Sequence, residues 1–557
     1  MNKKWILEEN YIPAAAKQAL GDYSPMQQAL LYQRGIRTME KAYSFLHPET
    51  QPLAEGNTIP GIVESAGVIL QSEATGKKIC VYGDYDTDGI TAVAIMTQTL
   101  RRINAEVEYY LPDRFDEGYG LNQDAIRELH NRGVNLIITV DCGIRAVEEV
   151  ALARTLGMDM VIVDHHVPGE TLPADVLIVD PKLHSETGIF VHYCGAGLAY
   201  LLAKEILGQK GIEISEDMLG LAAIGTVADM VPLKGENRTL VEKGISSLRK
   251  TKLPGLEALY KTARINPGAI NSTTIGFIIA PRLNATGRIS DAAIAVELLL
   301  EAEQEKAESI AVEIEQINIE RRKHMLDAFK TAMDKIESIE AIPPIIIITD
   351  ESFSEGVVGL AASRLKEHFY RPVIVGAKCE DSIRASARSI EGFNIIEVLE
   401  RVSHFLIRYG GHAGAAGLTV ATENFGKFKD ELGRIAEEML SDLPLTPVIH
   451  IAREVEFNEL NMSLMKFLNQ LEPFGMENEK PYFMTRNVRV RYSKPVGSDK
   501  AHLKMTLEKQ GIIFDAIAFK QAENFETMGD RIDIVYQFEL DEYMGIQKLQ
   551  LVIEDMK

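Results

Sequence analysis

Cysteine is scarce in this chain: four residues among 557, at 80, 142, 194 and 379. None belongs to a C-x-x-C pair, and those at 80, 142 and 194 sit among apolar or small neighbours. That favours buried free thiols in a reducing cytoplasm over disulfides. Long apolar runs are missing too. No stretch reaches the roughly 18 residues of a membrane span, and the first residues lack a signal peptide's apolar core. Positive charge is in deficit: 59 Lys and Arg stand against 81 Asp and Glu, a formal net charge of -22. A nucleic-acid binder with that balance must gather its basic residues on one local surface. There is no repeat and no low-complexity segment. With 46% hydrophobic and 25% charged residues the composition is that of an ordinary globular protein, and the length predicts roughly three to four domains.

What is present is acid in unusual places. Asp84, Asp86 and Asp88 fall within Val81-Tyr82-Gly83-Asp84-Tyr85-Asp86-Thr87-Asp88-Gly89, after the apolar run Ile79–Tyr82 and before a helical pattern from Thr91. Three carboxylates so close repel one another unless solvated, protonated or bound to cations, and a hard divalent ion is the natural partner. The spacing matches the start of an EF-hand loop. However, the twelfth position, which needs a bidentate Glu, is Ile95, and a strand precedes the acids where an EF-hand has a helix. A calcium loop is excluded.

The apolar runs Ile79–Tyr82, Leu136–Val140, Met160–Val163 and Val176–Val179 alternate with helical patterns, which predicts a parallel sheet covered on both faces. Each is followed by Asp: 84, 141, 164 and 180. In such sheets ligands sit beyond the carboxyl ends of the strands. Asp180-Pro181 reads as a turn and is left out of the site. Residues 1 to about 60 look helical. From Arg288 to Ile342 there is no Gly or Pro, so a long connecting helix is expected, with a break near Glu301. A second α/β domain begins with Ile345–Thr349, and a β-rich third follows Pro444-Leu445-Thr446-Pro447.

The candidate site adds Thr139-Val140-Asp141-Cys142-Gly143, Asp164-His165-His166 and Gly225-Thr226-Val227-Ala228-Asp229 to the triad. Asp and His ligands from several strand ends suit two metal ions, with Asp141 as the bridging carboxylate. The histidine favours Mn²⁺ over a pure Mg²⁺ site. Taken singly, each element has an ordinary explanation. An Asp after a strand is usually a turn or cap residue. Adjacent histidines in an extended segment point apart, so they do not share one ion. Asp164 suits the role of orienting a histidine. The weight lies in having all four elements in this order.

Together with Arg282-Leu283-Asn284-Ala285-Thr286-Gly287-Arg288, Ser354-Glu355-Gly356, Arg384-Ala385-Ser386-Ala387-Arg388 and Gly410-Gly411-His412-Ala413-Gly414, these motifs resemble the DHH phosphoesterase superfamily. Pro473-Phe474-Gly475-x-x-Asn478-x-x-Pro481 narrows the resemblance to the RecJ-like exonucleases, over nearly the whole chain. The resemblance implies an α/β fold: an N-terminal helical segment (1–60), a parallel-sheet DHH domain (61–290), a long helix (291–342), a smaller α/β DHHA1 domain (343–445) and an OB-fold barrel (446–557). It implies metal ligands Asp86, Asp88, Asp141, His165 and Asp229, with Asp84 either a ligand or one step behind. His166 would face the scissile phosphate and, with Arg282, offset transition-state charge. Asn284, Arg288 and Ser354 are expected to touch substrate.

The implied reaction is 5′→3′ hydrolysis of single-stranded DNA to 5′-mononucleotides with two Mn²⁺ or Mg²⁺ ions. It would serve DNA repair and recombination, in a cytoplasmic monomer that works with a single-strand-binding protein and a helicase. The alternatives are a phosphodiesterase for short oligonucleotides or cyclic dinucleotides, which needs neither the long helix nor a basic third domain, and a non-catalytic scaffold, which needs no intact ligand set.

Arg384 and Arg388 lie four apart in a strand-like run and share one face, where they suit phosphates or plain solvation. Gly410-Gly411-His412 suits either an anion nest or a flexible turn. Residues 481–510 carry seven Lys/Arg (486, 489, 491, 494, 500, 504, 509) against Asp499 and Glu508, with Tyr482, Phe483 and Tyr492 interleaved. That pattern fits a single-strand-binding surface, or core aromatics beside solvated lysines.

Overall fold

A computed structural model describes residues 3–557 apart from 9, 10, 115, 340, 442, 498, 527, 544 and 545. The chain divides into two compact units. The larger comprises Leu53–Val231 and Lys243–Leu445; the smaller comprises Met1–Pro52, Pro232–Glu242 and Thr446–Lys557. No described helix is long and apolar enough to cross a membrane.

Among its described residues the larger unit has two five-stranded sheets. The first is wholly parallel, in the order Val107–Tyr110, Ile79–Tyr82, Leu136–Val140, Asp159–Val163, Leu177–Val179. Its central strands are apolar because helices cover both faces; Ile79–Tyr82 and Leu136–Val140 are buried throughout. The strand order reverses between those two neighbours. A crevice therefore opens beyond their carboxyl ends, where Asp84, Asp86, Asp88 and Asp141 stand. The sequence reading lacked the outer strand Val107–Tyr110, whose half-buried Val-Glu-Tyr-Tyr has no apolar run. The helix Thr87–Arg102 is almost entirely buried and packs on Gly195–Gln209 and Glu216–Ala228.

The connecting segment has two breaks rather than one. Helices end at Ile289 and Leu300 before the helix Gln304–Glu337 begins. At the second break the Glu301 carboxylate accepts the N–H groups of Ala302 and Glu303, both at 2.8 Å, which offsets the lost helical bonds.

The second sheet runs Leu406–His412, Ala415–Ala421, Ser382–Arg388, Val373–Lys378, Ile346–Asp350. Here the anion-nest reading needs correction. Gly410, Gly411 and His412 are extended and pair with Gly417, Ala416 and Ala415 in an edge hairpin, so their N–H groups do not curl round one point. A β-carbon on Gly411 would lie 2.3 Å from the Ala415 carbonyl oxygen, so glycine is required there by the close approach of the two strands.

In the smaller unit five strands close into a barrel: Tyr482–Val496, His502–Lys509, Ile512–Ala518, Ile546–Met556 and Arg531–Tyr543, which returns to pair with the first. Only the Ile512–Ala518 and Ile546–Met556 pairing is parallel. This is an OB-type barrel. Leu503, Met505 and Leu507 alternate inward with Lys504, Thr506 and Glu508 outward.

The N-terminal residues form helices, as expected, and add one strand. Lys4–Leu7 is a strand paired in parallel with Val448–Glu454, and Leu20, Leu30, Leu31 and Leu46 share one core with Phe467, Phe514 and Phe538. The Pro473–Asn478 motif is a brace within this unit. Asn478 Nδ2 donates to the Leu471 and Pro473 carbonyls, both at 2.8 Å, and its Oδ1 accepts from Arg34. Buried Arg238 donates to carbonyls of residues 470–473 and stacks 3.9 Å from the Phe45 ring.

Candidate metal and phosphate site

Asp84 and Asp86 lie in the turn after Ile79–Tyr82. Asp86 caps the helix Thr87–Arg102, its Oδ1 accepting the N–H groups of Asp88 (2.9 Å) and Gly89 (3.1 Å). Asp88 therefore sits in the first helical turn. Its two oxygens accept from Gly195 N (2.7 Å) and Ala196 N (2.8 Å), at the start of the neighbouring helix. The approach is tight: a β-carbon on Gly195 would fall 2.5 Å from that of Asp141, and one on Gly225 would fall 2.6 Å from Asp88 Oδ1. Asp141 has φ +63°, a left-handed conformation that Asp tolerates better than most residues. The Tyr119 hydroxyl donates to its carbonyl oxygen at 3.2 Å.

Three overlapping groups of possible ligand atoms lie within 4.8 Å of one another: Asp84, Asp86 and Asp141; Asp88, His165 and Asp229; and Asp141, His165 and His166. His165 Nε2 is 3.0 Å from Asp141 Oδ1 and 3.7 Å from both Asp88 and Asp229. Asp141 thus belongs to the carboxylate group on one side and to the histidine group on the other.

The charge state shows what the cluster calls for. Burial, then neighbouring carboxylates, push Asp84 and Asp141 well above the usual range. Burial, Asp88 and Asp86 lift Asp229 to about 8. Burial lowers His165 to about 4, leaving it neutral, as a metal ligand must be. Asp84 Oδ1 is buried without a hydrogen-bond partner. Crowded carboxylates, one neutral imidazole and an orphaned acceptor fit hard divalent cations such as Mn²⁺ or Mg²⁺.

Asp164 lies behind these groups. Its Oδ1 accepts from His166 Nδ1 at 2.7 Å, and its Oδ2 accepts from Ile144 N at 2.9 Å. Burial pulls the His166 pKa down, but the hydrogen bond and charge of Asp164, with Asp229 and Asp84, outweigh it and raise the net value.

The other expected residues separate into two sets. Arg282 is not among the acids: its Nε and Nη2 pair with Glu315 at 2.6 and 3.2 Å, and its Nη1 donates to the Ile278 carbonyl at 2.8 Å. Asn284 Oδ1 accepts the Thr87 N–H at 2.9 Å and so fixes the acid turn. In this structure these two side chains hold the site's framework.

Arg288 and Arg388 form the second set. Burial, then repulsion from Arg114, Arg321 and Arg388, depresses Arg288 to about 10. Burial and Arg114 lower Arg388. Arg288 also donates to the Gly356 carbonyl at 3.3 Å, two residues after Ser354, which begins the helix Glu355–Phe369. Several guanidinium groups that repel one another beside a helix N-terminus form a natural phosphate site. Arg384 shares the strand face of Arg388 but pairs with Glu355 at 3.0 Å. Sequence reasoning missed Arg114, Tyr119 and Lys182, whose Nζ donates to the His165 carbonyl. Gly118 and Gly120, both with positive φ, are the local signal that Tyr119 is specially placed.

On the barrel, much of the basic run is neutralised across strands. Arg491 pairs with Glu508, Arg486 with Glu454 and Lys509 with Glu456. Phe483 is core, Tyr482 is half-buried and Tyr492 is exposed. Lys494 and Lys504 are exposed and stand directly opposite each other.

Comparison with known proteins gives three family matches: the DHH family N-terminal domain over residues 78–226, the DHHA1 domain over 342–438 and the RecJ OB domain over 451–555. The single-stranded-DNA-specific exonuclease RecJ of Bacillus subtilis (strain 168) is 39% identical over 96% of this chain and 68% of that protein. The crystal structure of RecJ in complex with Mn²⁺ from Thermus thermophilus is similar with a TM-score of 0.86 at 26% identity, covering 100% of this chain and 79% of that one. Its Mg²⁺ complex gives a TM-score of 0.81 at 24% identity, covering 100% and 78%.

Proposed function

This chain belongs to the RecJ family of single-stranded-DNA-specific exonucleases, and from that premise we propose how its residues divide the work. It is a metal-dependent exonuclease that binds single-stranded DNA and hydrolyses it 5′→3′. In our reading Asp84, Asp86 and Asp141 hold one divalent ion, and Asp88, His165, Asp229 and the same Asp141 hold the other. Bound there, Mn²⁺ or Mg²⁺ would lower the pKa of the attacking water and offset phosphate charge. The observation that carries the reading is that Asp141 groups with Asp84 and Asp86 and also lies 3.0 Å from His165 Nε2, which groups with Asp88 and Asp229.

His166, with Nδ1 held by Asp164, keeps Nε2 for a non-bridging oxygen of the scissile phosphate. Its raised pKa keeps the ring charged further up the pH scale. Arg288 and Arg388, with Ser354 at the adjacent helix start, bind strand phosphates, and Arg384 lies further along the same strand face. His412, on the exposed edge hairpin, lines the path of the strand. The product is a 5′-mononucleotide.

The domain division proposed is a DHH catalytic domain at 61–290, a connecting helical segment at 291–342, a DHHA1 substrate domain at 343–445 and an OB domain at 446–557. The wider setting is repair and recombination in the cytoplasm, as a monomer served by a helicase and a single-strand-binding protein. The test is product analysis with end-labelled single strands, duplexes and cyclic dinucleotides in Mn²⁺. Mononucleotides released only from a single-stranded 5′ end are expected; cleavage of the dinucleotide alone overturns the reading.

A further inference from the structure

Phe277 is 79% exposed, the most exposed large apolar side chain among the described residues. Its position is set by sequence. Four residues on, Pro281 has no N–H to give the Phe277 carbonyl, and its ring clashes with an α-helical carbonyl at that spacing. The chain answers with a π-helical turn, Ile275–Ile279, between Ser272–Thr274 and the helix Ala280–Ile289. The Arg282 guanidinium takes up the carbonyl of Ile278. A π-turn of this kind turns one side chain out of the helical register and is common at functional sites.

The turn is bracketed by both halves of the metal site. On one side, the Ala280 carbonyl accepts from Thr87 Oγ1 at 3.1 Å, and Thr87 lies between Asp86 and Asp88. On the other, the turn packs on the helix Glu216–Ala228, whose next residue is Asp229; a β-carbon on Gly276 would meet Val227 Cγ1 at 3.7 Å. Immediately after Asp229, Met230 has φ +60° and is 64% exposed. Met230 thus stands in solvent where the chain leaves Asp229, and Phe277 stands in solvent on the turn that packs against the helix before it. Both are large apolar side chains. Folding alone does not favour leaving them there.

We propose that Phe277 is a stacking platform for one nucleobase of the single strand close to the scissile phosphate. The inference rests on the exonuclease reading above and deepens it. A nucleobase is the occupant because every base offers a π-face whatever its sequence, and stacking on an aromatic ring needs no hydrogen-bond pattern. It also requires an unpaired strand, since a base inside a duplex has its faces covered.

The test uses the full-length protein with Mn²⁺ and 5′-phosphorylated oligothymidylate, either intact or with one abasic residue moved stepwise from the 5′ end. Phe277→Ala is expected to raise KM for the intact strand about tenfold, while Phe277→Tyr restores it and Phe277→Leu does not. At one abasic position the wild type should lose the same factor and Phe277→Ala should lose nothing further. An unchanged KM in Phe277→Ala, equal losses at every abasic position, or full rescue by Leu overturns the platform. Failure of the wild type to digest any single strand would instead overturn the parent reading.

Discussion

Asp164 and His166 are locked together through two bonds to one oxygen: Asp164 Oδ1 accepts from the His166 backbone N–H at 3.1 Å and from its Nδ1 at 2.7 Å. The carboxylate thereby fixes both the backbone and the ring of the second residue after it. Asp164→Asn is expected to lower kcat by about 10- to 100-fold, the usual cost of losing an orienting partner, with little further loss when His166→Ala is added. Single-turnover rates of the two single variants and the double variant check this; multiplicative losses would show that the two act separately.

Asp141→Ala should leave the fold intact and reduce kcat by ~10³-fold or more if Asp141 joins the two ions as proposed, because several kcal/mol of charge stabilisation would depend on them. Equilibrium dialysis against Mn²⁺ should fall from two ions bound to one or none. Two tightly held ions in the variant would remove Asp141 from the bridge.

Arg282 and Glu315 are each only slightly exposed, at 11% and 21% of the side chain. Their bidentate pair ties the helix Ala280–Ile289 to the helix Gln304–Glu337. Arg282→Gln and Glu315→Gln should each cost about 1–3 kcal/mol by denaturant unfolding, and the double variant little more. Activity per folded molecule should change less than tenfold. A hundredfold loss of kcat in Arg282→Gln, without one in Glu315→Gln, would return Arg282 to the chemistry.

Metal-free protein should lose stability as pH rises. Asp229 has an ordinary value of 3.8 and a folded value of about 8, raised by burial, Asp88 and Asp86. Between those values the folded state keeps a proton that the unfolded state has released. The unfolding free energy therefore declines from about pH 4 to about pH 8. Mn²⁺ takes the proton's place, so its binding should release protons and raise Tm most at the alkaline end. Differential scanning across that range with EDTA or Mn²⁺ is the measurement; a Tm that climbs with pH in EDTA contradicts it.

Lys494 and Lys504 are cross-strand partners of like charge on the barrel, an arrangement that destabilises a sheet unless an anion lies between them. Lys494→Ala with Lys504→Ala should raise the barrel's stability slightly. The same change should weaken binding of long single strands and reduce the salt slope of log K by about 1 for each phosphate no longer neutralised. Fluorescence anisotropy at several salt concentrations reads the binding and its slope, and denaturant unfolding reads the stability.

The acid cluster was legible in part because Asp84 and Asp141 follow strands, whereas Asp229 ends the helix Glu216–Ala228. Ile79–Tyr82 and Leu136–Val140 are uninterrupted apolar runs, so the pattern alone places the acids after them at the crevice. The break at Glu301 was legible as well. Features that depend on partners distant in sequence were not. Lys4–Leu7 is only four residues long and becomes a strand through Val448–Glu454, at the far end of the chain. The pairing of Arg282 with Glu315, on another helix, leaves no mark in the local sequence. The basic run at 481–510 kept its formal charge on paper, but cross-strand register set Glu508 beside Arg491. Gly410-Gly411-His412 has the composition of a loop, and only pairing with Ala415–Gly417 makes it a hairpin.

The pairing of Lys4–Leu7 with Val448–Glu454, and of the Trp5 indole with Asp555 at 2.7 Å, has a consequence for synthesis. On the ribosome the segment up to Pro52 emerges with nothing to pack against. It must wait with Leu20, Leu30, Leu31 and Leu46 uncovered until the barrel strands follow. Residues 53–231 and 243–445 can complete their own cores meanwhile, while the N-terminal segment closes one of the longest loops the chain can form. A stalled or truncated chain therefore carries uncovered apolar helices at its front end, a substrate for chaperones and proteases.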